Sequence, residues 1–182
     1  MQLQTREVAY AALFASLIAA SAFVAIPLGP VPFTLQVLVV LLAGLVLGPR
    51  GGALAVGTYL VLGLVAPVYA GGASGLGALF GPTGGYLWGF LLGAVTAGVV
   101  ARRTGPGFLG LTVAALAGLL PVYALGTAWL AVQLDLGPGA AIAAGALPFI
   151  AADLLKAGAA ALAARSLFSL PLGLPEPQPR GR

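Results

Sequence analysis

Asp153 and Lys156 are ionisable residues set inside a long apolar run, Leu147-Pro148-Phe149-Ile150-Ala151-Ala152-Asp153-Leu154-Leu155-Lys156-Ala157. On a helix, positions i and i+3 share one face. A charge at the centre of a bilayer costs about 2.5–3.5 kcal/mol on insertion scales, and pairing offsets only some of that. One reading is an ion pair that locks this helix against a neighbour, with a lysine near a helix end also able to snorkel. The other is a polar site facing the interior of a bundle, where a carboxylate acceptor and an ammonium donor meet a ligand. Ionisable groups within a membrane favour the second. Pro148 sets the depth. In the first turn its missing N–H costs nothing, and Asp153 lies near the outer end. In a helix that begins near residue 140 it makes a kink, and Asp153 lies deeper.

Three further features stand beside this pair. The uncharged segment from Ala70 to Tyr86 contains Ser74 and Gly81-Pro82-Thr83-Gly84-Gly85-Tyr86. Glycines let backbone approach a ligand closely, and the segment reads as a lid over a pocket rather than a plain connection. It lacks the lysine of a phosphate-binding loop, so it is not expected to cradle ATP. Gln36 follows the rigid run Pro27-Leu28-Gly29-Pro30-Val31-Pro32 and lies about one turn into an apolar helix, where its amide needs a partner. In the first helix Ala11, Ala15 and Ala19 form one small-residue line, and Ala12, Ser16 and Ala20 the next. Such lines let helices approach closely, for internal packing or for a partner.

The chemistry these residues support is binding. With no Cys and no His, the chain has no disulfide, no thiolate nucleophile and none of the commonest metal ligand. Asp153 and Lys156 form an acid/base pair in principle, but no nucleophile, metal cluster or cofactor motif accompanies them. No catalytic residue, metal site, cofactor or enzymatic activity is expected.

The elements that position these residues follow from composition. Of 182 residues, 60% are hydrophobic and 7% charged, against about 25% charged in soluble domains. Lipid is the solvent that accepts such a surface, and long apolar runs rather than alternation exclude a β-barrel. Apolar stretches predict an all-α integral membrane protein of six transmembrane helices, at about 8–26, 33–47, 53–66, 86–101, 109–134 and 145–168, the second, third and fourth being short of the usual span of about 20 residues. They form a single domain over 1–170, followed by a disordered polar tail over 171–182. Arg6, Arg50, Arg102, Arg103, Arg165, Arg180 and Arg182 all fall on one side of an even-numbered bundle, while an opposite loop holds Asp135. The positive-inside rule places both termini in the cytoplasm. The net charge of +4 therefore reports topology, and no nucleic-acid partner is expected. Arg6, the apolar run and Ala20-Ser21-Ala22 imitate a cleavable signal, but the run is longer than such a signal needs.

Taken together, the motifs resemble the BioY family, the biotin-specific S-components of energy-coupling factor transporters. The match rests on Pro30-Val31-Pro32-Phe33-Thr34-Leu35-Gln36, on Leu42-Ala43-Gly44 through Gly48-Pro49-Arg50, on Gly81-Pro82-Thr83-Gly84-Gly85-Tyr86 and on Asp153-Leu154-Leu155-Lys156. It spans nearly the whole chain. The resemblance implies high-affinity biotin uptake across the cytoplasmic membrane, with six helices and a pocket near the outer face capped by the loops after helices one and three. An S-component for a different vitamin is the sister reading; an intramembrane enzyme or a structural membrane protein is the alternative from another class. The implied site is Asp153, Lys156, Gln36, Ser74, Thr83, Gly84, Gly85 and Tyr86. The implied partners are biotin, a transmembrane coupling subunit docked at Ala11, Ala15 and Ala19, and two ATPase subunits that use the ATP. In such transporters the loaded S-component topples in the membrane to release vitamin inside. The family's loop after helix three supplies an Asn to the substrate. This chain has no Asn, so Ser74, Thr83 or backbone N–H groups stand in its place.

Overall fold

A computed structural model describes residues 5–174. Among the described residues the fold is all-α apart from one small hairpin. Its elements are α1 (Thr5–Ala22), β1 (Ala25–Pro27), β2 (Pro32–Thr34), α2 (Gln36–Val65), a 3-10 turn (Ala70–Gly72), α3 (Gly75–Leu79), α4 (Gly84–Thr104), α5 (Phe108–Gln133), α6 (Pro138–Gly145) and α7 (Leu147–Phe168). Among the described residues four helices are long and apolar enough to cross a membrane: α2, α4, α5 and α7.

The six-helix count is not matched, since the described residues form seven helical elements. The expected second and third helices run on as one element, α2, broken only at Gly48 (φ 71°, ψ −178°). That conformation is open to glycine alone. The chain reverses there. Gln36 Nε2 donates to Tyr59 Oη at 2.6 Å, although a straight helix would hold residues 23 positions apart at a separation of about 35 Å. A Cβ on Gly52 would lie 3.0 Å from Gly44 Cα. The two arms of α2 are therefore antiparallel, and Pro49 opens the second arm, where a missing N–H costs little. Gly44 is obligatory for another reason: a Cβ there would collide with the Ala94 carbonyl oxygen of α4.

The expected last helix, 145–168, is α7, and the short α6 precedes it across Ala146. Pro148 lies in the first turn of α7, which places Asp153 in the second turn. The expected first helix, 8–26, ends early, at Ala22. After α1, residues 25–27 pair antiparallel with 32–34, Ile26 opposite Phe33, and Leu28-Gly29-Pro30-Val31 closes a small hairpin.

The two small-residue lines of α1 lie about 100° apart around the helix and differ in burial. Ala11, Ala15 and Ala19 are buried in the core, packed inside the bundle rather than offered to a partner; Ala12, Ser16 and Ala20 are exposed. This corrects the docking assignment. The helix's i, i+4 periodicity permits either line to face inward, and Phe14 and Ile18, which flank the first line, draw it into the core.

After α7 the chain returns to α1. The Leu172 carbonyl accepts hydrogen bonds from Tyr10 Oη at 2.8 Å and from the Arg6 guanidinium. The start of the expected tail is thereby tied down, and its remainder, 175–182, lies outside the described residues. The N-terminal end of α1 and the C-terminal end of α7 thus share one end of the bundle.

Candidate functional site

Asp153 and Lys156 project from α7 into a bundle whose other walls are α2, α4 and α5. Both are almost wholly buried, at 4% and 7% exposure. Lys156 Nζ donates to Asp153 Oδ1 at 2.7 Å and to the Thr34 carbonyl oxygen of β2 at 2.6 Å. It also lies 3.7 Å from the centroid of the Phe33 ring, close enough for a cation–π attraction. Tyr123 Oη of α5 donates to Asp153 Oδ2 at 2.6 Å. Each charge is thus paired and hydrogen-bonded, as burial demands.

These groups border a cavity of about 280 Å³. Gln36, Thr34, Thr83 and Tyr86 also line it, with Phe33, Tyr69, Phe90 and Phe149 among its apolar walls. The amide of Gln36 is fixed by Tyr59, and its backbone N–H donates to Thr34 Oγ1 at 3.3 Å. Tyr86 Oη donates to the Gly145 carbonyl at 2.7 Å, tying α4 to the end of α6. Neighbouring Pro121 carries no N–H to donate, which loosens α5 just before its cavity-lining residues Val122 and Tyr123.

The structure therefore brings together Asp153, Lys156, Gln36, Thr83 and Tyr86. It does not bring in the other three. Ser74 is exposed just before α3 and lies off the cavity. Gly84 and Gly85 are buried in the first turn of α4, where their lack of a side chain serves packing. A Cβ on Gly84 would meet the Leu79 carbonyl oxygen, and one on Gly85 would meet Trp129 and the Leu125 carbonyl. Gly85 faces a separate apolar groove shared with Trp88 and Trp129.

Tyr123 is the main addition. Its signal in the sequence is a phenol inside a long apolar helix, where the O–H must find a partner. Tyr59 carries the same signal.

A carboxylate accepts about four hydrogen bonds and an ammonium donates three. Asp153 has received two and Lys156 has given two. The pair keeps acceptor capacity and one N–H for a ligand that presents donors and an acceptor on one edge.

The BioY family model matches residues 1–171. The chain is 44% identical over 167 residues to the biotin transporter BioY of Thermotoga maritima, covering 91% of this chain and 97% of that one. It is 40% identical over 166 residues to the probable biotin transporter BioY of Pyrococcus horikoshii, covering 91% and 98%. Among solved structures, the S-component for biotin from an ECF-type ABC transporter superimposes with a TM-score of 0.85 at 28% identity, over 93% of this chain and 96% of that chain.

Proposed function

The chain belongs to the BioY family, and from that membership we propose that it binds biotin and takes it up across the membrane as the S-component of an energy-coupling factor transporter. The observation that carries this reading is the Asp153–Lys156 pair, joined at 2.7 Å on the wall of a largely apolar cavity with hydrogen-bonding capacity unspent.

Biotin's ureido ring offers two N–H donors and one carbonyl acceptor beside an apolar sulfur ring. Asp153 accepts a ureido N–H, and the remaining N–H of Lys156 meets the ureido carbonyl. Tyr123 holds the second carboxylate oxygen in place, and Gln36, oriented by Tyr59, borders the head. Phe33, Tyr86, Phe90 and Phe149 enclose the rings. An analogue without the ureido groups would leave buried polar atoms unpaired and be rejected.

Six crossings complete the proposal, with the two arms of α2 counted separately beside α1, α4, α5 and α7. The ends of α1 and α7 share one end of the bundle, and Arg6, Arg50, Arg102, Arg103 and Arg165 assign that end to the cytoplasm. The work of ATP falls to partner subunits, a transmembrane coupling protein and ATPases. The protein itself acts as a binder, needing no cofactor.

The test is binding of radiolabelled biotin to the purified protein beside Asp153→Ala and Lys156→Ala. Saturable binding that either substitution abolishes while the fold persists is the expected result. No binding by folded wild-type protein removes the biotin assignment; binding that survives both substitutions reduces the pair to a structural role.

A further inference from the structure

Burial divides the cavity into a floor and a mouth. Asp153 and Lys156 lie on the buried floor, whereas Pro30 from the hairpin turn before α2, and Ala73, Ala78 of α3 and Thr83 from the connection between α2 and α4, are exposed or half-buried. Of these four mouth residues only Thr83 has a polar side chain. Lys156 is the one cation among the described residues lining the cavity, and two of its donors are committed to Asp153 and the Thr34 carbonyl.

A ligand held by its head on the floor directs its tail toward that neutral mouth. Resting on the biotin reading above, we infer that the site reads the ureido head and leaves the tail carboxylate without a counter-charge. Biotin esters and N-alkyl amides, whose tails are neutral, are then ligands of the same site. The physical reason is a difference of desolvation. A carboxylate brought to a neutral mouth gives up hydration and gains no ion pair, while an ester or amide has less hydration to lose. An amide-linked substituent continues outward between the loops rather than into packed core. The ligand class widens from free biotin to biotin joined to small alcohols and amines.

Competition against radiolabelled biotin on the purified full chain tests this, with biotin methyl ester and biotin N-butylamide as competitors. Both displace the label at concentrations within about tenfold of unlabelled biotin. A carboxylate held by a charge-assisted hydrogen bond would lose about tenfold to a hundredfold on neutralisation. Either competitor weaker than biotin by more than about tenfold overturns the inference while leaving biotin binding intact. Absence of saturable binding by labelled biotin itself sinks the underlying assignment and the inference with it. Thr83→Val gives a second readout. It leaves the ratio of biotin to methyl ester affinity unchanged, and a fall in biotin affinity alone would show that Thr83 reads the carboxylate.

Discussion

Replacing Lys156 with Met tests whether the buried pair is coupled and whether it serves the ligand. The substitution keeps an unbranched side chain, one atom shorter, but removes its charge, leaving the Asp153 carboxylate at 4% exposure with Tyr123 as its remaining side-chain donor. Removing one partner of a buried ion pair costs about 3–5 kcal/mol, because the other charge is stranded. In the double variant Asp153→Asn/Lys156→Met neither charge remains. What is left is chiefly the Thr34 carbonyl, which has lost its 2.6 Å donor, at about 1–3 kcal/mol for an unsatisfied buried acceptor. The double variant is therefore expected to be more stable than Lys156→Met by about 2 kcal/mol, although it carries more changes. Equilibrium unfolding in mixed micelles gives the difference, and a double-mutant cycle with Asp153→Asn isolates the coupling. Biotin binding is lost in all three variants. A double variant that unfolds as readily as Lys156→Met would refute the stranded-charge argument. A double variant that binds biotin as the wild type does would refute the placement of the ligand.

Other substitutions separate the remaining contributions. Tyr123→Phe deletes the donor to Asp153 Oδ2 and is expected to weaken biotin binding by about tenfold, in line with a hydrogen bond to a charged group; unchanged affinity in a titration would remove Tyr123 from the site. Gly48→Ala forces a Cβ into a backbone conformation at φ 71° and to within 2.9 Å of the Arg102 guanidinium, so unfolding measurements should show a loss of about 1–3 kcal/mol or more. Ala15→Leu overpacks the core by about 1–3 kcal/mol, whereas Ser16→Leu, on the exposed line, leaves stability within about 0.5 kcal/mol. Equal destabilisation by the two would contradict the orientation of α1.

The contrast between Ala15 and Ser16 marks what local pattern conveys and what it does not. Both lines of small residues are visible in the sequence, but the line that faces inward is settled by the neighbours of α1 in space. Asp153 and Lys156 were legible because an i, i+3 pair is local to one helix. The Tyr123–Asp153 contact joins residues 30 positions apart on different helices, and no periodicity announces it. Gly84 and Gly85 resemble glycines that admit a ligand, yet the same absence of a side chain serves close packing against Leu79 and Trp129. Likewise the apolar residues Ala25 to Pro27 extend the hydropathy of α1, although they form a strand. Hydropathy reports burial or lipid exposure and is blind to whether the backbone coils or extends.

Lys156 holds two structures at once, and this constrains how a ligand enters. Its ammonium secures the β1–β2 hairpin through the Thr34 carbonyl and secures α7 through Asp153. A ligand carbonyl that displaced Thr34 would strand a buried backbone acceptor and give back about as much as it gained. A ligand that takes the remaining N–H incurs no such cost and leaves the hairpin seated over the cavity. The same accounting applies to Asp153, whose two occupied positions are filled by Lys156 and Tyr123. The favourable ligand adds to this network without replacing any member. That favours a flat head with donors flanking an acceptor and disfavours a bare carboxylate, which at the remaining N–H of Lys156 would sit beside the like charge of Asp153.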